Sequence, residues 1–385
     1  MSNSLNYYVP EFYANEALIL LENALGMGMR VHRGFDEERR AFNKGEYINI
    51  RKPSTFTAGD APATAQDIAT GSVQMQLAYW REVKFKLTDK ELTLAEPTLV
   101  QEHIAPAAYA LANDVDQKLA ALYKDIPWYV DLNSTVAIDD MTDVYQVLFD
   151  NGVPMGNPAD LHYMMGGGLQ NGFQQLTAFN QYQGAGPVGV NTQLSGSLGI
   201  KFGMECFANQ NVQSHTGGTC ADAAGAIDYG SGTTAVYKKG EGLIHVDGVT
   251  DGGNFVVGDS FVITGNTQRY AITKAVTMTG GEGDVEFTPP LVANVDEDTV
   301  VTFRVDSHTA NLAFHRNAFA LATAPLSDMA KELGAKIATV YNDKNGLSLR
   351  SRIYYVGNSS EVHVALDILY GVKTLDPNLA CRACG

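Results

Sequence analysis

Ile104, Ala108, Leu111, Val115, Leu119 and Leu122 recur at steps of four, three, four, four and three, the spacing of one apolar helix face. That pattern predicts a single helix from Thr98 to Ile126, about 40 Å long at 1.5 Å per residue. Pro97 suits its first turn and Pro127 ends it, while Pro106 either starts the regular part or kinks it. A helix of this length can brace a flat, plate-shaped domain, and the rest of the chain has to be arranged along it.

The segment before it reads as a helix and an arm. Phe12, Leu18, Leu21 and Leu25 fall near one face, so a short helix is predicted over Glu11–Gly26, with Gly26 and Gly28 following it. From Arg30 to Lys52 there are seven basic and four acidic residues, which fits either a solvated surface or a dock for an acidic partner. Two extended runs follow: Tyr47, Asn49 and Arg51 alternate with Ile48 and Ile50, and Val73, Met75, Leu77, Tyr79, Val83, Phe85 and Leu87 keep period two. They predict a long hairpin with a tip over Pro53–Gly71, far longer than a usual hairpin loop. Because a lone two-stranded hairpin is marginal in water, this arm is expected to lie on another surface, such as a neighbouring subunit.

After the long helix, Met141–Phe149 reads as a helix with Asp139 and Asp140 as caps and a stop at Asn151-Gly152. Residues 161–200 contain no Asp, Glu, Lys or Arg and are filled with Gly, Gln, Asn, Ser and Thr, a packed loop suited to close contact with a partner. From Gly217 to Val305 the composition shifts to Gly, Thr, Val and Asp. Short β runs appear at Thr234–Tyr237, Leu243–Val246, Ser260–Thr264, Tyr270–Thr273, Asp284–Thr288 and Thr299–Val305, predicting an inserted small β-barrel. A helical pattern resumes over Ala310–Ala322. The chain closes with Leu333–Val340, a strand pair around Leu347–Val356 and Val362–Leu369, and a tail.

At 385 residues the chain holds ample core for two or three domains, and its hydrophobic content of 45% excludes disordered and fibrous classes. A net charge of −16 argues against broad coating of nucleic acid. Four cysteines, Cys206, Cys220, Cys381 and Cys384, are too few for a disulfide scaffold, so free thiols in a reducing compartment are expected. No secretion signal or membrane span is expected.

No motif supports catalysis. Gly184-Ala-Gly186-Pro-Val-Gly189 matches a dinucleotide string, but Pro187 and the residues after it give no helix to meet a pyrophosphate. Cys381-Arg-Ala-Cys384 has no second ligand pair for zinc and no helix to open. His215 with Cys220, and His308 with His315, form no set of four ligands. Glu37-Glu38, Asp139-Asp140 and Asp296-Glu297-Asp298 read as solvated surface. Glu282, Asp284 and Glu286 on one turn, with Asp296–Asp298 on another, read as a soluble loop or as an acidic knob that pairs with basic groups on a neighbour. No catalytic residue, cofactor or metal site is expected.

Several strings, in order, resemble one family. They are Lys86-Leu-Thr-Asp-Lys-Glu-Leu92, Ala107-Ala-Tyr-Ala-Leu-Ala-Asn113, Gly199-Ile-Lys-Phe-Gly-Met204, Asn211-Val-Gln-Ser-His-Thr216, Asn311-Leu-Ala-Phe-His315, Ala318-Phe-Ala-Leu-Ala322, Asp367-Ile-Leu-Tyr-Gly371 and Pro377-Asn-Leu-Ala-Cys-Arg382. Together they resemble the major capsid (coat) proteins of tailed bacteriophages with the Hong Kong 97 type of fold, and more narrowly the coat-protein branch of the Salmonella short-tailed phages. Cys384 departs from that pattern, and the Lys, Asn and carboxylate of the cross-linking capsids cannot be placed, so no self-cross-linking is expected.

The resemblance implies an α+β chain divided into an N-terminal arm (1–43), an extended hairpin arm (44–95), and a spine helix with the peripheral domain and first part of the central domain (96–216). An inserted β domain (217–305) and the rest of the central and peripheral domains (306–385) complete it. It implies a structural protein, not an enzyme, that self-assembles into pentamers and hexamers forming an icosahedral head. The head encloses double-stranded DNA without sequence-specific binding. Scaffolding protein, portal and a decoration protein are the implied partners, with no membrane, and the virion, assembled in the host cytoplasm, is the implied location. The alternatives are a bacterial nanocompartment shell protein, or a glycan-binding or adhesin protein built on the β domain.

Overall fold

The computed structural model describes residues 10–33, 47–52, 60–61, 65, 71–88, 98–181, 192–220, 224–229, 236–327, 336–341 and 347–385. The chain forms two compact units, Met1–Leu119 with Phe319–Leu375, and Ala120–Ala318 with Asp376–Gly385. The tip of the hairpin, the glycine string 184–189, Glu37-Glu38 and the end of the 86–92 string lie largely or wholly outside the described residues.

In the first unit the long helix is Thr98–Ala120, and a 3-10 turn, Ala121–Asp125, continues it. Ile104, Ala108, Leu111, Val115 and Leu119 are buried, as their spacing requires, and Pro106 lies inside the helix. Asp116 accepts from the backbone N–H groups of Gly26, Met27 and Gly28 at 2.7, 3.2 and 2.9 Å. It thereby supplies acceptors to the chain just after the first helix, Pro10–Ala24.

The sheet of this unit is ordered Phe319–Ala324, Glu361–Thr374, Ser348–Val356 and Lys336–Tyr341, with Tyr79–Thr88 paired along the other edge of Glu361–Thr374. The hairpin is therefore shorter than its periodicity predicts. Tyr47–Lys52 pairs only with Gly71–Gln76, and the second half of the alternating run turns away to join the sheet. The arm is expected to lie on another surface, and its base does so within its own unit. Ile48, Ile50, Met75 and Leu77 pack on Ala320, Ala322 and Ala324 of the same unit, so the base of the arm covers its own sheet. Gly371 permits this approach, because a Cβ there would overlap the Gln76 carbonyl.

At the centre of the sheet Asp367 is fully buried. Arg350 grips it with Nε on Oδ1 (3.0 Å) and Nη2 on Oδ2 (2.6 Å), and Trp80 Nε1 donates to Oδ2 at 3.0 Å. A buried carboxylate survives desolvation only with such partners.

In the second unit one sheet runs Tyr129–Asp131, Ala380–Cys384, His308–His315, Leu161–Met165, Met204–Ala208 and Ile200–Lys201, and Gln213–His215 also pairs with His308–His315. Three expectations fail here. The uncharged stretch is not a loop throughout: Leu161–Met165 is a wholly buried strand, and Gly167–Gln175 and Thr177–Asn180 are helices. Ala310–Ala322 is not helical but belongs to two strands, His308–His315 and Phe319–Ala324. Nearly every residue of these strands is buried, so the period-two signal is lost and small Ala-rich strings imitate a helix. The closing tail is the buried strand Ala380–Cys384.

Between Gln213–His215 and His308–His315 the chain builds a closed barrel, ordered Leu243–Asp247, Gly283–Thr288, Arg269–Ile272, Ser260–Ile263, Val300–Arg304 and Ala224–Ile227. Alternate residues fill it. Phe261 stacks on Tyr270 at 5.2 Å and meets Phe287 edge-on at 5.2 Å, while Phe255 stacks on Phe303 at 4.3 Å. Val236–Tyr237, expected as a main strand, instead pairs only with Val295–Asp296 outside the closed ring.

Candidate functional site

The entry and exit strands of the barrel lie side by side. His215 is opposite His308, Ser214 opposite Thr309 and Gln213 opposite Ala310. Gly217 completes this neck: a Cβ there would overlap the Val305 carbonyl, so the two crossing segments meet only with glycine. Sequence spacing leaves His215 and His308 unconnected; the register brings their rings to 5.0 Å.

A buried polar relay fixes the neck. His215 Nε2 lies 2.9 Å from Asp259 Oδ1 and Nδ1 lies 3.1 Å from the Tyr123 hydroxyl. An ionised carboxylate only accepts, so Nε2 carries the proton and, in the neutral ring, Nδ1 accepts from Tyr123. Burial raises the pKa of Tyr123, which keeps its O–H in place as the donor. The other oxygen of Asp259 accepts from the N–H groups of Gly218 (3.2 Å) and Val256 (2.7 Å).

Arg382, from the last strand, donates Nη1 to the Gly258 carbonyl at 2.7 Å. His308 donates Nδ1–H to the Asp306 carbonyl at 2.8 Å. Burial, then the positive charges of Arg382 and Arg304, push its pKa down to about 4. The relay is a Tyr-His-Asp set, but His215 and Asp259 are both buried and no nucleophile among the described residues stands on it, so its geometry suits a clamp.

The cysteine pair does not act together. Cys381 faces an apolar core shared with Cys206, and Cys384 accepts from Arg304 Nη1 at 3.4 Å. All four cysteines are free and buried. Burial pushes the Cys206 thiol up to about 12 and raises Cys381 and Cys384 as well, which removes thiolate reactivity. Asp140, expected to be solvated, is buried and accepts from the N–H groups of Asn133 and Ala137, both at 2.8 Å. His315 lies apart from His308, with Nδ1 accepting from Asn317 N–H at 3.2 Å.

Two surfaces stand out. In the uncharged stretch Leu194 is 80% exposed and Ile200 57%; just beyond it, after Lys201, Phe202 stands at a positive φ of 47° with its ring edge-on to Phe179 at 6.2 Å. On the barrel, Asp284 and Glu286 lie along the strand Gly283–Thr288 and not on the single turn expected, with Glu282 just before it. Separately, a cleft of about 420 Å³ lies beside Gly166, Gly167 and Gly168. Among the described residues no Asp, Glu, Lys or Arg lines it, and Asn311 in its wall is committed to Gly166 N–H (2.7 Å) and the Ala383 carbonyl (3.0 Å).

No protein-family model and no curated protein matches the chain. Among solved structures it is similar to one of Mycobacterium phage Che8, at a TM-score of 0.49 and 11% identity over 93% of this chain and 90% of that one. It is also similar to the capsid structure of cyanophage P-SCSP1u, at 0.49 and 10% identity over 89% and 84%. A virus-like particle from Pyrococcus furiosus gives 0.42 and 8% identity over 98% and 100%. All three scores lie below 0.5, and the functional reading below rests on the chain's own residues.

Proposed function

We propose that this chain is the major capsid protein of a tailed bacteriophage, with copies that assemble into pentamers and hexamers around double-stranded DNA. The observation that carries the reading is the path of the chain through the neck. It leaves one sheet at Gln213–His215, forms a closed barrel, and returns to the same sheet at His308–His315. The ordered strings that resemble tailed-phage coat proteins flank that excursion on both sides. In this reading 217–305 is an inserted domain, 44–95 is an arm whose tip reaches a neighbour, and the uncharged stretch with Leu194 and Ile200 faces other copies.

Exposed apolar side chains, such as Leu194 and Ile200, favour burial against a second protein. The net charge of −16 suits a shell that holds DNA without gripping its phosphates. The role is structural, and scaffolding, portal and decoration proteins are its proposed partners. Negative-stain microscopy of the protein made alone and with its neighbouring genes tests the reading. Closed shells or ring-shaped capsomers support it, and an absence of both under all conditions contradicts it.

A further inference from the structure

Strand pairing on the outer wall of the barrel brings together three side chains that are far apart in sequence. Leu243–Asp247 runs between Ala224–Ile227 and Gly283–Thr288. Asp228 follows the first of these flanking strands, and its N–H donates to the His245 carbonyl at 3.1 Å. Glu282 precedes the other and is held by a bridge to Thr279. One carboxylate oxygen each from Asp228 and Glu282 and a ring nitrogen of His245 lie within 4.8 Å of one another.

The neighbour of His245 across the ladder is Asp284, whose Oδ1 lies 2.6 Å from Nδ1. Since the carboxylate only accepts, Nδ1 carries the proton and Nε2 keeps its lone pair. A carboxylate behind one imidazole nitrogen fixes the ring and raises the basicity of the other, as metal-binding histidines require.

We propose that Asp228, His245 and Glu282 form a divalent metal site on the outer face of the barrel, with Asp284 holding the imidazole in position. One nitrogen and two oxygen ligands without a thiolate suit zinc, with solvent completing the coordination. Ligands about 2.0 to 2.2 Å from a tetrahedral zinc lie roughly 3.4 Å apart. The three groups therefore need to close by at most about 1.4 Å, within the rotamer freedom of half-buried and exposed side chains. His245 is carried by a barrel strand, and Asp228 and Glu282 sit at the ends of the two strands that flank it. The proposal stands on the barrel alone and does not depend on the capsid reading.

The test uses the full chain, stripped with chelator and titrated with zinc chloride by calorimetry, with calcium chloride as the comparison. The proposal expects saturable zinc binding in the wild type, weaker calcium binding, and a rise in melting temperature with zinc. His245→Ala should remove that binding step and the melting shift. Asp284→Asn should weaken zinc affinity by about tenfold. Glu282→Gln, at an exposed position, should weaken binding while leaving the metal-free melting temperature unchanged, and so decides the matter should His245→Ala fold poorly. Unchanged zinc affinity in Glu282→Gln, no saturable binding in the wild type, or calcium bound more tightly than zinc would overturn the assignment.

Discussion

His215 Nε2 lies 2.9 Å from Asp259 Oδ1, joining the strand by which the chain enters the barrel to the segment that opens the strand Ser260–Ile263. The same carboxylate accepts from Gly218 and Val256, so one side chain serves three donors at the neck. Asp259→Ala leaves all three without that acceptor, His215 in a buried place and Gly218 and Val256 in half-buried ones. Leaving buried donors unsatisfied costs about 1 to 3 kcal/mol each. Denaturant unfolding should show a loss of that order, and a loss under about 1 kcal/mol would mean that the neck is held by the backbone pairing alone.

Arg350 and Asp367 make the corresponding test in the first unit. Arg350→Ala should cost about 3 kcal/mol, because Asp367 stays buried and loses its bidentate partner, keeping only Arg352 Nη2 at 3.3 Å and Trp80 Nε1 at 3.0 Å. The double variant Arg350→Met with Asp367→Leu should recover part of that loss, since no buried charge is left. Equilibrium unfolding of the single and double variants measures the coupling, and strictly additive losses would show that the pair acts through separate contacts.

Acid should weaken the barrel neck through His308. Its folded pKa is pushed down to about 4 by burial, against about 6.5 in an unfolded chain. Between these values the unfolded state binds more protons, so stability is fully present above pH 6.5 and is lost as pH falls toward 4. Arg382, Arg304 and His215 all disfavour protonation of His308, whereas the Asp306 carbonyl favours it. Melting temperature measured from pH 7.5 to pH 4 should fall in the wild type and fall less in His308→Gln. Equal slopes would remove His308 from the acid response.

The parts with one solvated face were legible in the sequence, and the parts buried on both faces were not. The apolar spacing from Ile104 to Leu119 gave the long helix, and alternation gave most barrel strands, because each of these elements has a polar side. Ala224–Ile227, the strand that closes the barrel, carries no such signal. Its Gly225 lies where a Cβ would come 2.9 Å from the Asp247 carbonyl. His308–His315 and Phe319–Ala324 failed for the same reason, as did Leu161–Met165. The neck relay was also beyond reach, since Tyr123, His215 and Asp259 come from three elements whose register no local pattern specifies.

The hairpin arm offers a test that separates folding from assembly. Ile48, Ile50, Met75 and Leu77 already cover Ala320 and Ala322, so replacing residues 54–69 with a short Gly-containing turn should leave the unit folded. Circular dichroism and melting temperature should change little, while particle formation should fail or give aberrant products. A large loss of secondary structure would mean that the tip belongs to the core of its own subunit.

The central claim is self-assembly, and sedimentation velocity of the full chain tests it most directly. Purified protein, and protein co-expressed with its neighbouring genes, should include capsomers or particles of megadalton size whose mass is dominated by this chain. A strictly monomeric species at every protein concentration, ionic strength and co-expression condition would contradict the account.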